Sequence, residues 1–156
     1  MLENPIEMGK PSLTGMTHQP VSRTTGGETG QGHAYVLIVD DEPLVREFLR
    51  RRLEGWGYAV KEAGSAPEAL EAMFAEPASI MVSDIKMPGH DGLWLAARVR
   101  AQWPHTAIIM ATSDLEIRTV LKSRTVGAVD YVTKPFGRAL LLQALHRAEA
   151  AIRADG

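Results

Sequence analysis

The chain has 156 residues, a formal net charge of −2 and no cysteine. Hydrophobic residues make up 45% of it and charged residues 23%, as in an ordinary globular protein. This composition excludes a disulfide framework, thiolate metal sites and thiol catalysis, and it provides no global charge that would attract nucleic acid or an acidic membrane surface. Because no apolar run reaches the ~18 residues of a membrane span and no secretory signal is present, we expect a cytoplasmic protein.

Residues 1–33 are rich in Gly, Pro, Ser, Thr and Gln and keep no helical or strand period. The run from Thr24 to Gly32 has the composition of a flexible linker. We therefore predict a disordered N-terminal tail over residues 1–33 and one folded domain over residues 34–153. The alternative is that the tail acts as an arm that tethers the domain or binds a partner.

The first predicted strand is the apolar run 34–39, which is typical of a strand buried on both faces. Three acids follow it directly, Asp40, Asp41 and Glu42, and Pro43 then suits the first turn of a helix. Glycines at positions 55 and 57 end that helix. Its apolar stripe, which predicts a face packed on the core, consists of Val45, Phe48, Leu49, Leu53 and Trp56. Its arginines predict a solvated basic face, and they are Arg46, Arg50, Arg51 and Arg52.

The alternation continues in the middle of the chain. Residues 58–63 form a less apolar strand that we expect near an edge of the sheet. Ser65 is a predicted N-cap with Glu68 as its capping-box partner, and the helix runs to Ala75. The next buried strand, residues 79–84, ends in Asp84. Two turn signals follow within residues 88–92, so a loop should close over this carboxylate.

The last third of the chain repeats the pattern. A helix over residues 93–100 precedes a strand over 106–111, which ends in the hydroxyls of Thr112 and Ser113. We then predict a helix over 114–123, a fifth strand over 126–132 and a last helix from Arg138 to about Arg153.

Strands joined by helical crossovers are parallel, with helices on both faces. The order therefore predicts an α/β fold, a doubly wound five-stranded sheet of flavodoxin-like order 2-1-3-4-5. That topology brings Asp40, Asp41 and Asp84 together at the carboxyl edge, with Thr112 and Lys134 beside them. Clustered carboxylates without Cys or His suit Mg²⁺, and a metal held this way accepts phosphate oxygens. Asp84 lies centrally and is the candidate nucleophile for an aspartyl-phosphate.

These motifs, in this order, resemble the receiver domain of response regulators in two-component signalling, the CheY-like family. The resemblance covers about residues 34–153. It rests on the acidic pair Asp40-Asp41, the stretch Asp84–Gly92, the hydroxyl of Thr112, the aromatic Tyr131 and the sequence Lys134-Pro135-Phe136. His90 stands where the family more usually has Met, which we interpret as a substitution in a surface loop.

The resemblance implies a role for each of these positions. Asp84 would be the phosphoacceptor and would bind Mg²⁺ directly together with Asp41. The backbone carbonyl of Lys86 would be a further ligand, and Asp40 would act mainly through a water molecule. The switch and phosphate-sensing residues would be Thr112, Tyr131 and Lys134, and Pro135 would follow a cis peptide bond.

The resemblance also implies partners. A sensor histidine kinase or a histidine phosphotransfer protein would supply the phosphoryl group, and a target protein would read the surface of the fourth predicted helix, the fifth strand and the last helix. Since no effector domain follows within this sequence, we expect a stand-alone receiver, a signalling module rather than an enzyme, without direct DNA binding or membrane contact. Homodimerisation is left open. The alternatives are a phosphorylation-independent interaction module and an Asp-nucleophile phosphohydrolase.

One hypothesis concerns two residues beside the expected phosphoryl group. Lys86 lies two residues beyond Asp84, and Asp114 lies two residues beyond Thr112. Opposite charges at these positions would pair across the site and hinder an attacking water, so that Lys86→Ala or Asp114→Ala changes the lifetime of the aspartyl-phosphate. Two solvated charges that never meet are the alternative.

Overall fold

The computed structural model describes residues 34–113 and 126–155, in which five strands form one sheet between two layers of helices. In chain order the elements are β1 (Val36–Val39), α1 (Pro43–Gly55), β2 (Val60–Ala63), α2 (Ala66–Ala75), β3 (Ile80–Asp84), α3 (Gly92–Gln102), β4 (Ala107–Thr112), β5 (Asp130–Thr133) and α4 (Arg138–Asp155). All strand pairs are parallel, and the order across the sheet is β2-β1-β3-β4-β5. The predicted doubly wound fold and its strand order are confirmed, including the edge position of β2.

The three central strands are buried along their whole length. Successive side chains of a strand point to opposite faces, so β1 contributes to both layers. Leu37 and Val39 belong to a core cluster with residues of α2 and α3, whereas Val36 and Ile38 belong to a second cluster with residues of α1 and α4. Continuous apolar runs in the sequence therefore correspond to strands covered on both sides.

Local sequence signals set the helix ends. Pro43 opens α1, and Gly57 adopts a φ of +98° just beyond its end, a conformation that glycine reaches without steric cost. Ser65 caps α2, since its hydroxyl accepts a hydrogen bond from the Glu68 N–H at 3.2 Å. The Glu68 carboxylate accepts from the N–H of Gly64 at 2.7 Å. The predicted capping box is thus present, except that the Glu68 carboxylate accepts from the N–H of Gly64 instead of that of Ser65.

Two expectations are corrected. The fifth strand begins at Asp130 rather than at residue 126, because Gly127 takes a φ of +84° in a turn before it. Phe48, predicted in the core stripe of α1, is 42% exposed and stacks on Phe136 with 6.4 Å between ring centroids. The helix predicted over 114–123 and the tail over 1–33 lie outside the described residues. None of the described helices is both long enough and apolar enough to cross a membrane.

Candidate functional site

Three carboxylates meet at the carboxyl edge of the sheet. Asp40 and Asp41 directly follow β1, and Asp84 is the last residue of β3. They lie side by side because β1 and β3 are paired neighbours with Val39 opposite Ser83. One carboxylate oxygen from each of the three aspartates lies within 4.8 Å of the others. Asp40 and Asp84 are buried, and Asp41 is exposed. This edge, beside the point where the strand order reverses, is where open α/β sheets bind ligands.

Lys134 enters this cluster from the end of β5. Its Nζ lies 2.8 Å from Asp40 Oδ2 and 3.2 Å from Asp84 Oδ2. The peptide bond between Lys134 and Pro135 is cis. The sheet thus joins a cation and two acids that are far apart in the sequence, and the ammonium lies between the two buried carboxylates.

Burial and charge shift the pKa values in this cluster. Burial raises the pKa of Asp84, the neighbouring charge of Asp40 raises it further, and Lys134 acts in the opposite direction. Burial by itself lowers the pKa of Lys134, but its hydrogen bonds to and charge interactions with Asp40 and Asp84 outweigh that effect and leave the pKa above its usual value. The ammonium is therefore held in its charged form, and it offsets the mutual repulsion of the carboxylates.

The backbone around Asp40 is fixed by two further contacts. The N–H of Glu42 donates to Asp40 Oδ1 at 2.9 Å, and the guanidinium of Arg46 donates to the Asp40 carbonyl at 2.7 Å. Arg46 also pairs with Glu62 of β2 at 3.1 Å. The prediction that Arg46 lies on a solvated basic face is wrong, because its side chain reaches back over the end of β1 and is only 20% exposed. Helical spacing carried no signal for this role, since Glu62 belongs to another element.

The loop after β3 folds back closely on Asp84. The N–H of Gly92 donates to the carbonyl of Ile85 at 2.8 Å. A Cβ at Gly92 would lie only 1.9 Å from the Asp84 carbonyl oxygen, so this position admits no side chain without movement of the backbone. Asp91 caps α3 by accepting from the Trp94 N–H at 2.9 Å. The exposed ring of His90 stacks on Trp94, with 3.7 Å between ring centroids.

The other predicted site residues surround this centre. Thr112 is buried at the end of β4, and its carbonyl accepts from the Lys134 N–H at 2.9 Å. Tyr131 is half-buried in β5, opposite Met110. Lys86 is exposed in the loop after Asp84. Asp114 lies outside the described residues, so its pairing with Lys86 stays a prediction.

The donor set fits a hard divalent cation. Asp40, Asp41 and Asp84 offer only oxygen atoms, and Mg²⁺ binds oxygen ligands in preference to nitrogen or sulfur. Two of the three carboxylates are buried, and the negative charge of each one makes ionisation of the other less favourable. The geometry thus defines a class of protein: an open α/β domain with an acidic, oxygen-only centre and one lysine at the carboxyl edge of its sheet.

Comparison with known proteins agrees with this class. Residues 36–146 match the family model of the response regulator receiver domain, and the chain belongs to this family. It is 37% identical over 114 residues to the C4-dicarboxylate transport transcriptional regulatory protein DctD of Rhizobium meliloti, a match that covers 73% of this chain and 25% of that protein. It is 31% identical over 131 residues to the transcriptional regulatory protein FixJ of Bradyrhizobium diazoefficiens, covering 81% of this chain and 63% of that protein.

Solved structures give the same result. The chemotaxis protein CheY4 of Vibrio cholerae superposes with a TM-score of 0.70 at 31% identity, over 75% of this chain and 99% of that one. A CheY-like receiver domain from Methanospirillum hungatei gives a TM-score of 0.73 at 28% identity, over 79% and 98%. Members of the family are signalling modules of two-component systems that generally bind Mg²⁺ and interact with histidine kinases and downstream effectors. The chain spans about a quarter of the length of DctD.

Proposed function

We propose that this protein accepts a phosphoryl group on Asp84 from the phosphohistidine of a histidine kinase or a histidine phosphotransfer protein. The observation that carries the proposal is the position of Asp84, which ends β3 among two further carboxylates and 3.2 Å from the Lys134 ammonium. A nucleophilic carboxylate needs nearby positive charge to offset the phosphoryl oxygens that approach it. Membership of the receiver family supports the same role.

The chain's own groups divide the work of the transfer. An Asp84 oxygen forms a bond to phosphorus while the bond from phosphorus to the histidine nitrogen breaks, and that nitrogen keeps the bonding electron pair. Lys134 leaves its contacts with Asp40 and Asp84 to meet a phosphoryl oxygen. Asp40, Asp41, Asp84 and the backbone carbonyl of Lys86 would hold Mg²⁺, with Asp40 acting through water. When bound, this ion supplies positive charge that neutralises phosphoryl oxygens.

Phosphorylation would then act as a switch. The modification replaces the single negative charge of the Asp84 carboxylate by about two on the phosphoryl group, and it adds three acceptor oxygens at the end of β3. Thr112 ends the neighbouring strand and is joined to Lys134 by a backbone hydrogen bond of 2.9 Å, so movement of either residue bears on the other. Tyr131 lies two residues before Thr133, the β-sheet partner of Thr112. We propose that these residues change the surface formed by β5, α4 and the helix predicted over 114–123, and that a target protein reads it.

The test is intact mass after incubation with Mg²⁺ and acetyl phosphate. For the chain without substitutions we expect an adduct of about 80 Da. The adduct should be absent in Asp84→Ala and when Mg²⁺ is chelated. Asp130→Ala is the matched control, because Asp130 is an acid of the same domain that pairs with Arg147 at 3.0 Å, away from the cluster. This control should keep the adduct. No adduct under any condition, with the fold intact, would overturn the proposal and favour a phosphorylation-independent interaction module.

A further inference from the structure

A groove with an aromatic floor runs along the exposed side of α1. Its volume is about 440 Å³, and we call it the α1 groove, lined by Phe48, Arg51, Arg52, Gly55, Trp56 and Arg138. Phe48 also lines an adjoining apolar cavity of about 420 Å³, which Lys134 and Pro135 border. The α1 groove therefore adjoins a cavity that Lys134 borders.

The rim of the α1 groove is positively charged. The guanidinium of Arg52 lies 5.1 Å from the ring centroid of Phe48 and 5.8 Å from that of Trp56. Neither Arg52 nor Arg138 forms an ion pair within the described parts of the chain. Arg51 pairs at 2.9 Å with Glu47 across the exposed helix surface. Aromatic rings beside unpaired guanidinium groups suit a ligand that carries both apolar and acidic side chains.

The first eight residues of this chain have that chemistry. They contain Leu2, Ile6 and Met8, and two acids, Glu3 and Glu7, without any lysine or arginine. The pairs Leu2-Glu3 and Ile6-Glu7 place an apolar and an acidic side chain together twice within six positions. The charges of this segment and of the groove are therefore opposite.

The point where the chain enters the domain brings this segment within reach. The N–H of Val36 donates to the carbonyl of Ala59 at 2.9 Å, and Ala59 is three residues beyond Trp56 of the groove. Residues 9–33 number 25, and a flexible chain of that length has an r.m.s. span of about 28 Å. α1 itself is about 20 Å long. Tethering at this distance gives an effective concentration on the order of millimolar, so a weak contact suffices.

We propose that residues 1–8 dock in cis in the α1 groove. Leu2 and Ile6 pack on the rings of Phe48 and Trp56, and the two glutamates pair with Arg52 and Arg138.

The experiment uses the full chain, which has no cysteine and so accepts a single nitroxide label at Asn4→Cys. We expect amide NMR signals from Phe48 to Trp56 and around Arg138 to lose most of their intensity, while signals of α2 and α3 on the other face of the sheet keep theirs. Glu3→Lys with Glu7→Lys should abolish this loss. Glu28→Lys, a charge reversal in the linker, is the matched control and should preserve it.

Two further samples decide the occupant and the charge argument. In the first sample, ¹⁵N chains without the nitroxide are mixed with ¹⁴N chains that carry it, and the groove signals should keep their intensity. A loss of intensity in this sample would assign the groove to a second copy and overturn docking in cis. Adding Arg52→Glu and Arg138→Glu to the reversed segment should restore the loss. Groove signals that stay intact in the labelled chain, or a loss that survives reversal of Glu3 and Glu7, would overturn the proposal. None of these samples involves phosphorylation, so their outcomes are independent of the proposed phosphoryl transfer to Asp84.

Discussion

Replacing Lys134 by methionine should destabilise the fold far more than the loss of a comparable ion pair at the surface. Lys134 Nζ lies 2.8 Å from Asp40, whose side chain is 2% exposed, and 3.2 Å from Asp84. Lys134→Met keeps a long apolar side chain but leaves two buried carboxylates without their cation. Removing one partner of a buried pair costs about 3–5 kcal/mol, and we expect a cost near the lower end, about 3 kcal/mol, because Asp41 and the edge of the site are open to water. For a domain of this size that corresponds to a fall of roughly 10 °C in Tm.

Lys61→Met is the matched control. Lys61 pairs with Glu76 at 2.9 Å, almost the same distance, but the two side chains are 49% and 31% exposed. Such a pair contributes about 0–1 kcal/mol. Urea and thermal unfolding without divalent ions should therefore separate the two variants clearly. Equal losses of stability would refute the reasoning that burial, rather than distance, sets the strength of the Lys134 contacts.

Mg²⁺ should narrow the difference in stability between Lys134→Met and the chain without substitutions. In Lys134→Met the carboxylates have no competing ammonium, so Mg²⁺ should bind more tightly than it does to the unmodified chain. Each tenfold tightening adds about 1.4 kcal/mol of stabilisation at saturating Mg²⁺. Thermal unfolding with and without Mg²⁺, at matched ionic strength, measures this gain. An identical gain in both chains would show that Lys134 and the cation do not share these carboxylates.

The remaining predictions concern stability elsewhere in the fold. Gly92→Ala should lower the free energy of unfolding by about 2 kcal/mol or more, because the new Cβ would meet the carbonyl that ends β3 at 1.9 Å. Gly55→Ala, in open space at the end of α1, should instead leave it unchanged or raise it by up to about 1 kcal/mol, and equal effects in thermal unfolding would contradict the assigned contact. Burial raises the pKa of Tyr58, and the hydrogen bond that its hydroxyl donates to Glu149 at 2.6 Å raises it further. Above about pH 10 the unfolded chain loses this phenol proton while the folded chain keeps it, so stability should fall as the pH rises, by about 1.4 kcal/mol per unit for each such group. Tyr58→Phe should cost about 1 kcal/mol at pH 7 and make this fall shallower, with Tyr35, whose pKa burial raises to about 12, still contributing. Urea unfolding at stepped pH measures the slope, and a slope that Tyr58→Phe leaves unchanged would contradict this assignment.

The order of the elements and the ends of the strands follow from the amino-acid sequence alone. Apolar runs of five or six residues are typical of strands covered on both faces, and acids or hydroxyls follow them where the chain reaches the edge of the sheet. Once parallel crossovers fixed the strand order, Asp40, Asp41 and Asp84 had to share one edge. Local signals such as Pro43 and Ser65 placed helix ends because they act on the backbone within a few residues.

The contacts between side chains that are distant in the sequence depend on how the elements pack in three dimensions. Arg46 reaches the carbonyl of Asp40, Lys134 lies between two acids, and Phe48 stacks on Phe136 at the surface instead of entering the core. Each of these contacts depends on the placement of one element against another, to within about an ångström. Periodicity along the chain indicates which face of a helix is apolar. It carries no information about how that helix is rotated and shifted against the sheet. This placement decides whether an arginine contacts solvent or the end of a strand.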